Sequence, residues 1–232
     1  MHELGHAQHP LTPNYAVLVI SHVVWDWNGT LLNDNDAVLA AVNEVCAGFG
    51  RPELTWAEWQ AAYARPMRLS YEQILQRVLD DAEWEQVDKL YHQRYDALLH
   101  TCELAIGAHD VLRAWGAGGR TQSLLSMWFH SRLTPTVELY GLTQYFSRVD
   151  GLPGEVGGGS KADSLIRHLQ ELQLDPAGVV LIGDVVDDAH AAEAAGTQCV
   201  LVTTGAMTRE ALEATGMPVT GSISEALALL DQ

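Results

Sequence analysis

The chain is poor in cysteine, in basic residues and in long apolar runs, and each shortage excludes something. Its 232 residues hold three cysteines, Cys46, Cys102 and Cys199. They are odd in number, far apart and never in a Cys-x-x-Cys pair. This argues against a disulfide framework and a thiolate zinc site, and favours the reducing cytoplasm. Against 30 aspartates and glutamates stand 13 lysines and arginines, a formal net charge of −17. Such a surface repels nucleic acid and anionic lipid, so neither is an expected partner, and most of the acids serve solubility. No apolar run reaches membrane-spanning length: the stretch from Tyr15 to Trp25 is interrupted by Ser21 and His22 and suits a buried strand. A basic start and a small-residue cleavage site are also lacking, so no signal peptide is expected. There is no internal repeat and no low-complexity tract.

What is present is a globular composition, 47% hydrophobic, long enough for one large core or two small ones. The first residues carry a misleading pattern. His2-Glu3-Leu4-Gly5-His6 matches His-Glu-x-x-His, but zinc-protease chemistry needs both histidines on one face of a stable helix with a third ligand. Here Gly5 lies inside the pattern and Pro10 and Pro13 follow, so residues 1–19 read as a frayed extension.

Five β-type runs recur, around 21–26, 121–126, 146–149, 179–183 and 198–202. Helical patterns separate most of them. Residues 161–173 put Leu165, Ile166, Leu169 and Leu172 on one face, and the Ala-rich stretch 187–195 stops at Gly196, a natural helix terminator. Strands such as Val179-Val180-Leu181-Ile182 are apolar throughout, as burial on both sides requires. The expected fold is therefore α/β, a Rossmann-like parallel sheet with helices on both faces. Residues 33–104 differ. Leu39, Val42, Val45 and Phe49 have helical spacing, as do Ile74, Leu75, Val78 and Leu79, and then Leu90, Tyr91, Tyr95, Leu98 and Leu99, with Trp56, Trp59, Tyr63 and Trp84 as bulk. The expected organisation is an α/β core over 20–33 and 105–232 and an inserted all-helical unit over 34–104.

The chemistry-bearing residues cluster at strand ends, where open parallel sheets bind ligands. Val23-Val24-Trp25 delivers Asp26 into a turn with Asn28 and Gly29; Ser126 ends the second strand; Asp184, Asp187 and Asp188 follow Val-Val-Leu-Ile-Gly; Lys161 opens a helix after Gly157-Gly158-Gly159. One cation, one hydroxyl and several carboxylates suit a phosphate plus Mg²⁺, which takes hard oxygen ligands. Plainer readings stand beside this one. Asp26 can be a turn residue, Asp184 a helix cap, Asp187 and Asp188 helix-dipole partners, Ser126 a buried hydroxyl and Lys161 a solvated first-turn lysine. The glycine run lacks the Gly-Lys-Ser/Thr order of a P-loop and reads as a connection.

Four segments, in order, resemble the haloacid dehalogenase-like hydrolases: Asp26-Trp27-Asn28-Gly29-Thr30, similar to Asp-x-Asp-x-Thr; Ser126 after an apolar strand; Lys161 near a helix start; and Gly183-Asp184-Val185-Val186-Asp187-Asp188, similar to Gly-Asp-x-x-x-Asp. The helical insertion resembles the cap of phosphoglycolate phosphatase-like members. The resemblance implies that Asp26 attacks phosphorus and forms an aspartyl-phosphate. It implies Mg²⁺ held by Asp26, the backbone carbonyl of Asn28, Asp184 and Asp188, with Asp187 the alternative to Asp188. Ser126, Lys161 and the backbone N–H groups of Trp27 and Asn28 would contact the phosphoryl oxygens, and the substrate would be a small phosphorylated metabolite. Arg65 and Arg68, in a loop of the cap, are candidates for contacting a substrate anion; surface solvation is the plain alternative.

Asn28 departs from the family pattern. The acid expected there protonates the leaving group and activates water, a contribution of about 10²–10⁴-fold. An amide cannot transfer that proton. Three outcomes follow: slow turnover or turnover of good leaving groups only, a proton from another group, or a module that binds phosphate compounds without hydrolysis. Phosphotransfer of the mutase kind also shares the first half-reaction. Dehalogenation does not call for Mg²⁺ and would leave the acidic cluster unexplained.

Overall fold

The computed structural model describes residues 20–154 and 160–231. The His2–His6 pattern, the extension over 1–19 and the glycines at 157–159 lie outside the described residues. The chain begins with β1 (His22–Trp25) and β2 (Leu32–Asn33), then runs through α1 (Asn35–Gly48), α2 (Trp56–Ala62), α3 (Met67–Leu75) and α4 (Asp81–Leu98). It returns through β3 (Glu103–Leu104) and α5 (Ala108–Ala117) to β4 (Thr121–Phe129), α6 (His130–Leu139) and β5 (Val149–Leu152). The last part comprises α7 (Lys161–Leu172), β6 (Val179–Gly183), α8 (Val186–Ala195), β7 (Gln198–Val202), α9 (Arg209–Glu213), β8 (Val219–Thr220) and α10 (Ile223–Leu230).

Six strands form one parallel sheet in the order β5-β4-β1-β6-β7-β8. The chain steps outward from β1 through β4 to β5, then reverses to β6 on the other side of β1. That reversal opens a crevice at the carboxyl ends of β1, β4 and β6, the switch point of a Rossmann-like sheet. The strands are apolar because both faces are covered. In β1, Val23 and Trp25 enter one hydrophobic cluster and Val24 the opposite one; in β6, Val180 and Ile182 go one way and Val179 and Leu181 the other. This is the two-residue strand period with a core on each side.

The polar start of β4 is buried without penalty because its groups are paired. Gln122 accepts from Trp25 Nε1 at 3.0 Å and donates to the Leu112 carbonyl at 2.8 Å. A second chain runs from Thr121 Oγ1 to His22 Nδ1 (2.6 Å), from His22 Nε2 to Ser123 Oγ (2.8 Å), on to His168 Nε2 (2.7 Å), and from His168 Nδ1 to Asp150 (2.7 Å), which Arg148 also holds at 2.5 Å. Satisfied networks of this kind give a buried polar strand a single register.

The short antiparallel pair β2–β3 joins Leu32 to Leu104 and Asn33 to Glu103. Between its strands, α1 to α4 close around their own cluster of Val42, Val45, Cys46, Trp59, Tyr71, Leu75, Leu79 and Val87. Both α2 and α4 start with a capping box, Thr55 with Glu58 and Asp80 with Glu83.

Two expectations need correction. The helical spacing over Ile74–Leu79 breaks at Gln76, whose left-handed φ of 55° ends α3; Val78 is then 83% exposed, while Leu79 still fills the core from the loop. The strand expected at 146–149 lies at Val149–Leu152, because Thr143–Tyr145 form a helical turn whose Tyr145 and Phe146 pack onto the core, and an edge strand tolerates Asp150 and Gly151. The two-residue β8 gives no periodicity to read.

Burial, with His168 beside it, lowers the His22 pKa from 6.5 to about 4. The unfolded chain takes up this proton near 6.5 and the folded chain resists until about 4. Stability from this group is therefore complete above 6.5, falls as the pH drops from 6.5 to 4, and falls no further below that. Because buried carboxyls titrate in the same window, the comparison is with His22→Gln, which keeps hydrogen-bonding capacity without titrating: the urea midpoint of the natural chain should fall relative to that variant between pH 7 and 4, and a constant difference would contradict a buried neutral His22.

Candidate active site

The carboxyl end of β1 bends sharply. The backbone N–H of Asp26 makes the last ladder bond, to the Ile182 carbonyl at 2.9 Å, and those of Leu31 and Leu32 then fold back onto the Trp27 carbonyl at 2.9 and 2.8 Å. Gly29 sits at φ 70°, where a side chain would be strained and would also run into the Asp184 carboxylate. Gly205, after β7, approaches the same carboxylate so closely that a methyl group there would overlap it. Asp184 is held from both sides, accepting from Thr30 Oγ1 at 3.1 Å and from the Ala206 N–H at 2.9 Å.

Lys161 opens α7, whose N-cap Ser160 accepts from the Asp163 N–H. Its ammonium lies 2.8 Å from Asp26 Oδ1 and also contacts Asp188 Oδ1. Asp188 is 0% exposed and its other oxygen accepts from the Val185 N–H at 3.1 Å. Asp26, Asp184 and Asp188 offer ligand oxygens within 4.8 Å of one another, all buried. Ser126, two residues past the Leu124 that pairs with Trp25, reaches the same end of the sheet. Its Oγ accepts from the Trp128 N–H at 3.0 Å, which leaves its own hydrogen free to donate. Trp27 is fully buried, and its backbone N–H, next to the Asp26 carboxylate, favours the ionised form of that acid.

The electrostatics follow from three carboxylates meeting one ammonium out of water. Burial, with Asp188 adding to it, raises the Asp26 pKa to about 6 although Lys161 pulls the other way. Burial and both acidic neighbours push Asp184 well above the usual range. Burial works against the charge of Lys161, but Asp188 and Asp26 outweigh it and hold the ammonium protonated. The excess negative charge, on hard oxygens, fits a divalent cation, which Asp26, Asp184 and Asp188 could hold.

The structure separates several residues that stood together in the sequence. Asp188 joins the buried cluster, whereas Asp187 is half-exposed and faces Arg65 at 3.6 Å. Arg65 lies over the Tyr63 ring at 5.7 Å and senses both Asp187 and Asp26, so it faces the site. Arg68 does not join it. It lies inside α3 rather than in a loop, and its guanidinium is taken up by Glu72, Asp81 and the Leu79 carbonyl within the helical insert. Burial raises the Tyr63 pKa to about 12, with Asp184 and Asp187 among the charges acting on it. Sequence reasoning missed Tyr63 as a site residue, along with Asp34, Tyr95 and the 204–207 loop. Small residues after an apolar strand, Thr204-Gly205-Ala206, were the one readable sign of that loop. It locks onto the first motif through Thr204 Oγ1 to the Gly29 carbonyl, at 2.6 Å.

A Rossmann-like sheet with an acidic cluster and a buried lysine at its switch point defines a class of phosphate-handling hydrolases, and comparison with known proteins places the chain within it. The profile of the haloacid dehalogenase-like hydrolases matches residues 23–202, and the chain belongs to that family. It is 26% identical over 200 residues to phosphoglycolate phosphatase 1 of Pseudomonas aeruginosa, covering 83% of this chain and 73% of that protein. It is 27% identical over 198 residues to the phosphoglycolate phosphatase of Nitrosospira multiformis, covering 81% and 85%. A haloacid dehalogenase-like family hydrolase from Streptococcus pneumoniae superposes with a TM-score of 0.77 at 19% identity, covering 90% of this chain and 98% of that one.

Lys161→Met would leave Asp26 and Asp188 buried without their ammonium. Removing one partner of a buried ion pair costs about 3–5 kcal/mol. Urea denaturation at pH 7.5 with chelator present should show a loss of that order; a loss below about 1 kcal/mol, the level of an exposed pair, would contradict the pairing.

Proposed function

We propose that the protein is a Mg²⁺-dependent phosphomonoesterase that acts on a small phosphorylated metabolite through an aspartyl-phosphate on Asp26. The observation that carries this reading is the buried trio Asp26, Asp184 and Asp188 with Lys161 bridging two of its members at the crevice of the sheet. Asp26, the Asn28 carbonyl, Asp184 and Asp188 would hold the cation, which when bound neutralises phosphoryl charge and orients the ester for in-line attack.

In the first step an Asp26 oxygen forms a bond to phosphorus while the bond from phosphorus to the ester oxygen breaks. Lys161 neutralises charge on Asp26 and the phosphoryl group, Ser126 donates its free hydrogen to a phosphoryl oxygen, and the Trp27 and Asn28 N–H groups line the same oxygens. In the second step the oxygen of water bonds to phosphorus, the bond from phosphorus to the Asp26 oxygen breaks, and the water's hydrogens leave with the phosphate as Asp26 returns to its carboxylate. Asn28 moves no proton in either step, so the rate depends on a leaving group that departs without one. Arg65, cationic and next to Asp187, is placed to meet an anionic group at the far end of the substrate. Two relatives named phosphoglycolate phosphatase support a small phosphorylated acid as substrate. The helical insert acts as the cap that covers the site, and the sparse, unpaired cysteines support a cytoplasmic location. Asn28 favours one second reading, a module that binds phosphate compounds without turnover.

Phosphate release from a panel of phosphomonoesters that includes 2-phosphoglycolate, with Mg²⁺ or with chelator, separates the two. Mg²⁺-dependent release that falls at least about 10³-fold in Asp26→Asn is expected. Ligand-induced thermal stabilisation without release above that variant would instead establish the binding module. Arg65→Ala should raise KM for substrates with a second anionic group about 10-fold and leave uncharged esters unaffected; equal effects on both would remove Arg65 from substrate recognition.

A further inference from the structure

Asn28 does not stand alone. Its Nδ2 lies 2.7 Å from Asp34 Oδ2 and 2.8 Å from the hydroxyl of Tyr95, and that hydroxyl lies 2.7 Å from the same Asp34 oxygen. The three polar groups form a closed triangle. The other Asp34 oxygen accepts from the Gly29 N–H at 3.0 Å. Asp34 and Tyr95 are each 2% exposed. Asp34 comes from the stem that leaves the sheet and Tyr95 from α4 of the helical insert, so the triangle ties the two together.

Burial raises the Asp34 pKa, against which Tyr95, Asn28 and Gly29 all donate to it; with Asp34 ionised the direction of every bond is fixed. A carboxylate only accepts, so the single hydrogen of Tyr95 goes to Asp34, and both amide hydrogens of Asn28 go to Asp34 and to Tyr95. Turning the amide over would set its oxygen against the Asp34 carboxylate and lose two bonds. Oδ1 is the one polar atom of this side chain without a partner among the described residues.

We propose that Asp34 and Tyr95 are positioning residues that clamp the Asn28 amide with its nitrogen turned away from the reacting centre and its Oδ1 presented to it, and that the Asp34 carboxylate is what excludes a second acid at position 28. An aspartate at 28 would bring its oxygen to within 2.7 Å of Asp34 Oδ2, two like charges with no lysine or arginine among the described residues bonded to either. Position 28 therefore serves as a hydrogen-bond acceptor that orients the attacking water. The carboxylate and the amide form one unit whose members can be exchanged but not duplicated. The catalytic half of this inference rests on the phosphatase reading; the clamp itself does not.

The test is a double-mutant cycle in the full chain, read by Tm and by phosphate release. Asn28→Asp alone should lower Tm by several degrees and fail to raise kcat. Asn28→Asp with Asp34→Asn restores one carboxylate facing one amide, now with the carboxyl on the reacting side. It should recover most of the lost Tm and raise kcat on esters with poor leaving groups by about 10²-fold, the low end of general acid–base catalysis. Tyr95→Phe keeps the ring against Tyr91 and Trp128 but loses the hydroxyl. It should lower kcat several-fold at unchanged KM, a split that loss of packing alone would not produce. Additive Tm changes in the cycle, or an Asn28→Asp variant as stable as the exchanged pair, would overturn the clamp whatever the activity. Coupled Tm changes with no phosphate release from any variant would leave the clamp and overturn the phosphatase reading together with the catalytic half. Coupled Tm with release, but no gain in kcat on exchange, would overturn the acceptor role of position 28.

Discussion

The site depends on keeping three carboxylates out of water around a single ammonium. Coulomb repulsion within such a group is strong where water is excluded, and it would drive the strand ends apart or leave the acids protonated. The fold meets this constraint in two ways. Lys161 reaches between Asp26 and Asp188 from the first turn of α7, and the oxygens it does not satisfy are given N–H and O–H donors from Val185, Ala206 and Thr30. The absence of side chains at Gly29 and Gly205 lets backbone close on Asp184 where a Cβ would collide. The charge that remains fits a divalent cation.

The helical insert rests on this crevice through contacts of several kinds. Gln60 donates to the carbonyls of Gly205 and Met207, both at 3.3 Å; Arg132 pairs with Asp96 at 2.6 Å; Tyr95 meets Trp128 edge-on, and His92 leans on Phe129. Apart from the rings these are single polar contacts of modest strength, the kind that break and reform when one layer moves over another. Arg65 and Tyr63 hang from the end of α2 into the same crevice.

Much of this was legible in the sequence, for physical reasons. Strands buried on both faces are apolar except where their polar groups are paired, so the apolar runs of β1, β6 and β7 announced themselves. The edge strand β5, with Asp150 and Gly151, and the two-residue β8 have no such requirement and left weaker or no marks. Helices α7 and α8 were visible in apolar spacing and a terminal glycine, while the end of α3 was not, because Gln76 takes up a left-handed conformation that its residue type does not advertise. Asp26, Asp184, Asp188 and Lys161 were readable because each sits at a fixed offset from a strand or helix end. Arg68 misled because one helical turn turns its side chain toward Glu72 and Asp81 rather than toward the site.

The sequence by itself determined the residue types and their attachment to particular strand and helix ends, and with them the family, since local backbone geometry follows from nearby residues. It also determined that position 28 carries an amide. Only the tertiary structure decided that Lys161 contacts Asp188 as well as Asp26, that Arg65 and not Arg68 faces the crevice, and that the Asn28 amide is held by Asp34 and Tyr95. These contacts join residues that are distant along the chain, and the close distances between them exist only once the sheet has set its order and the insert has folded back onto it.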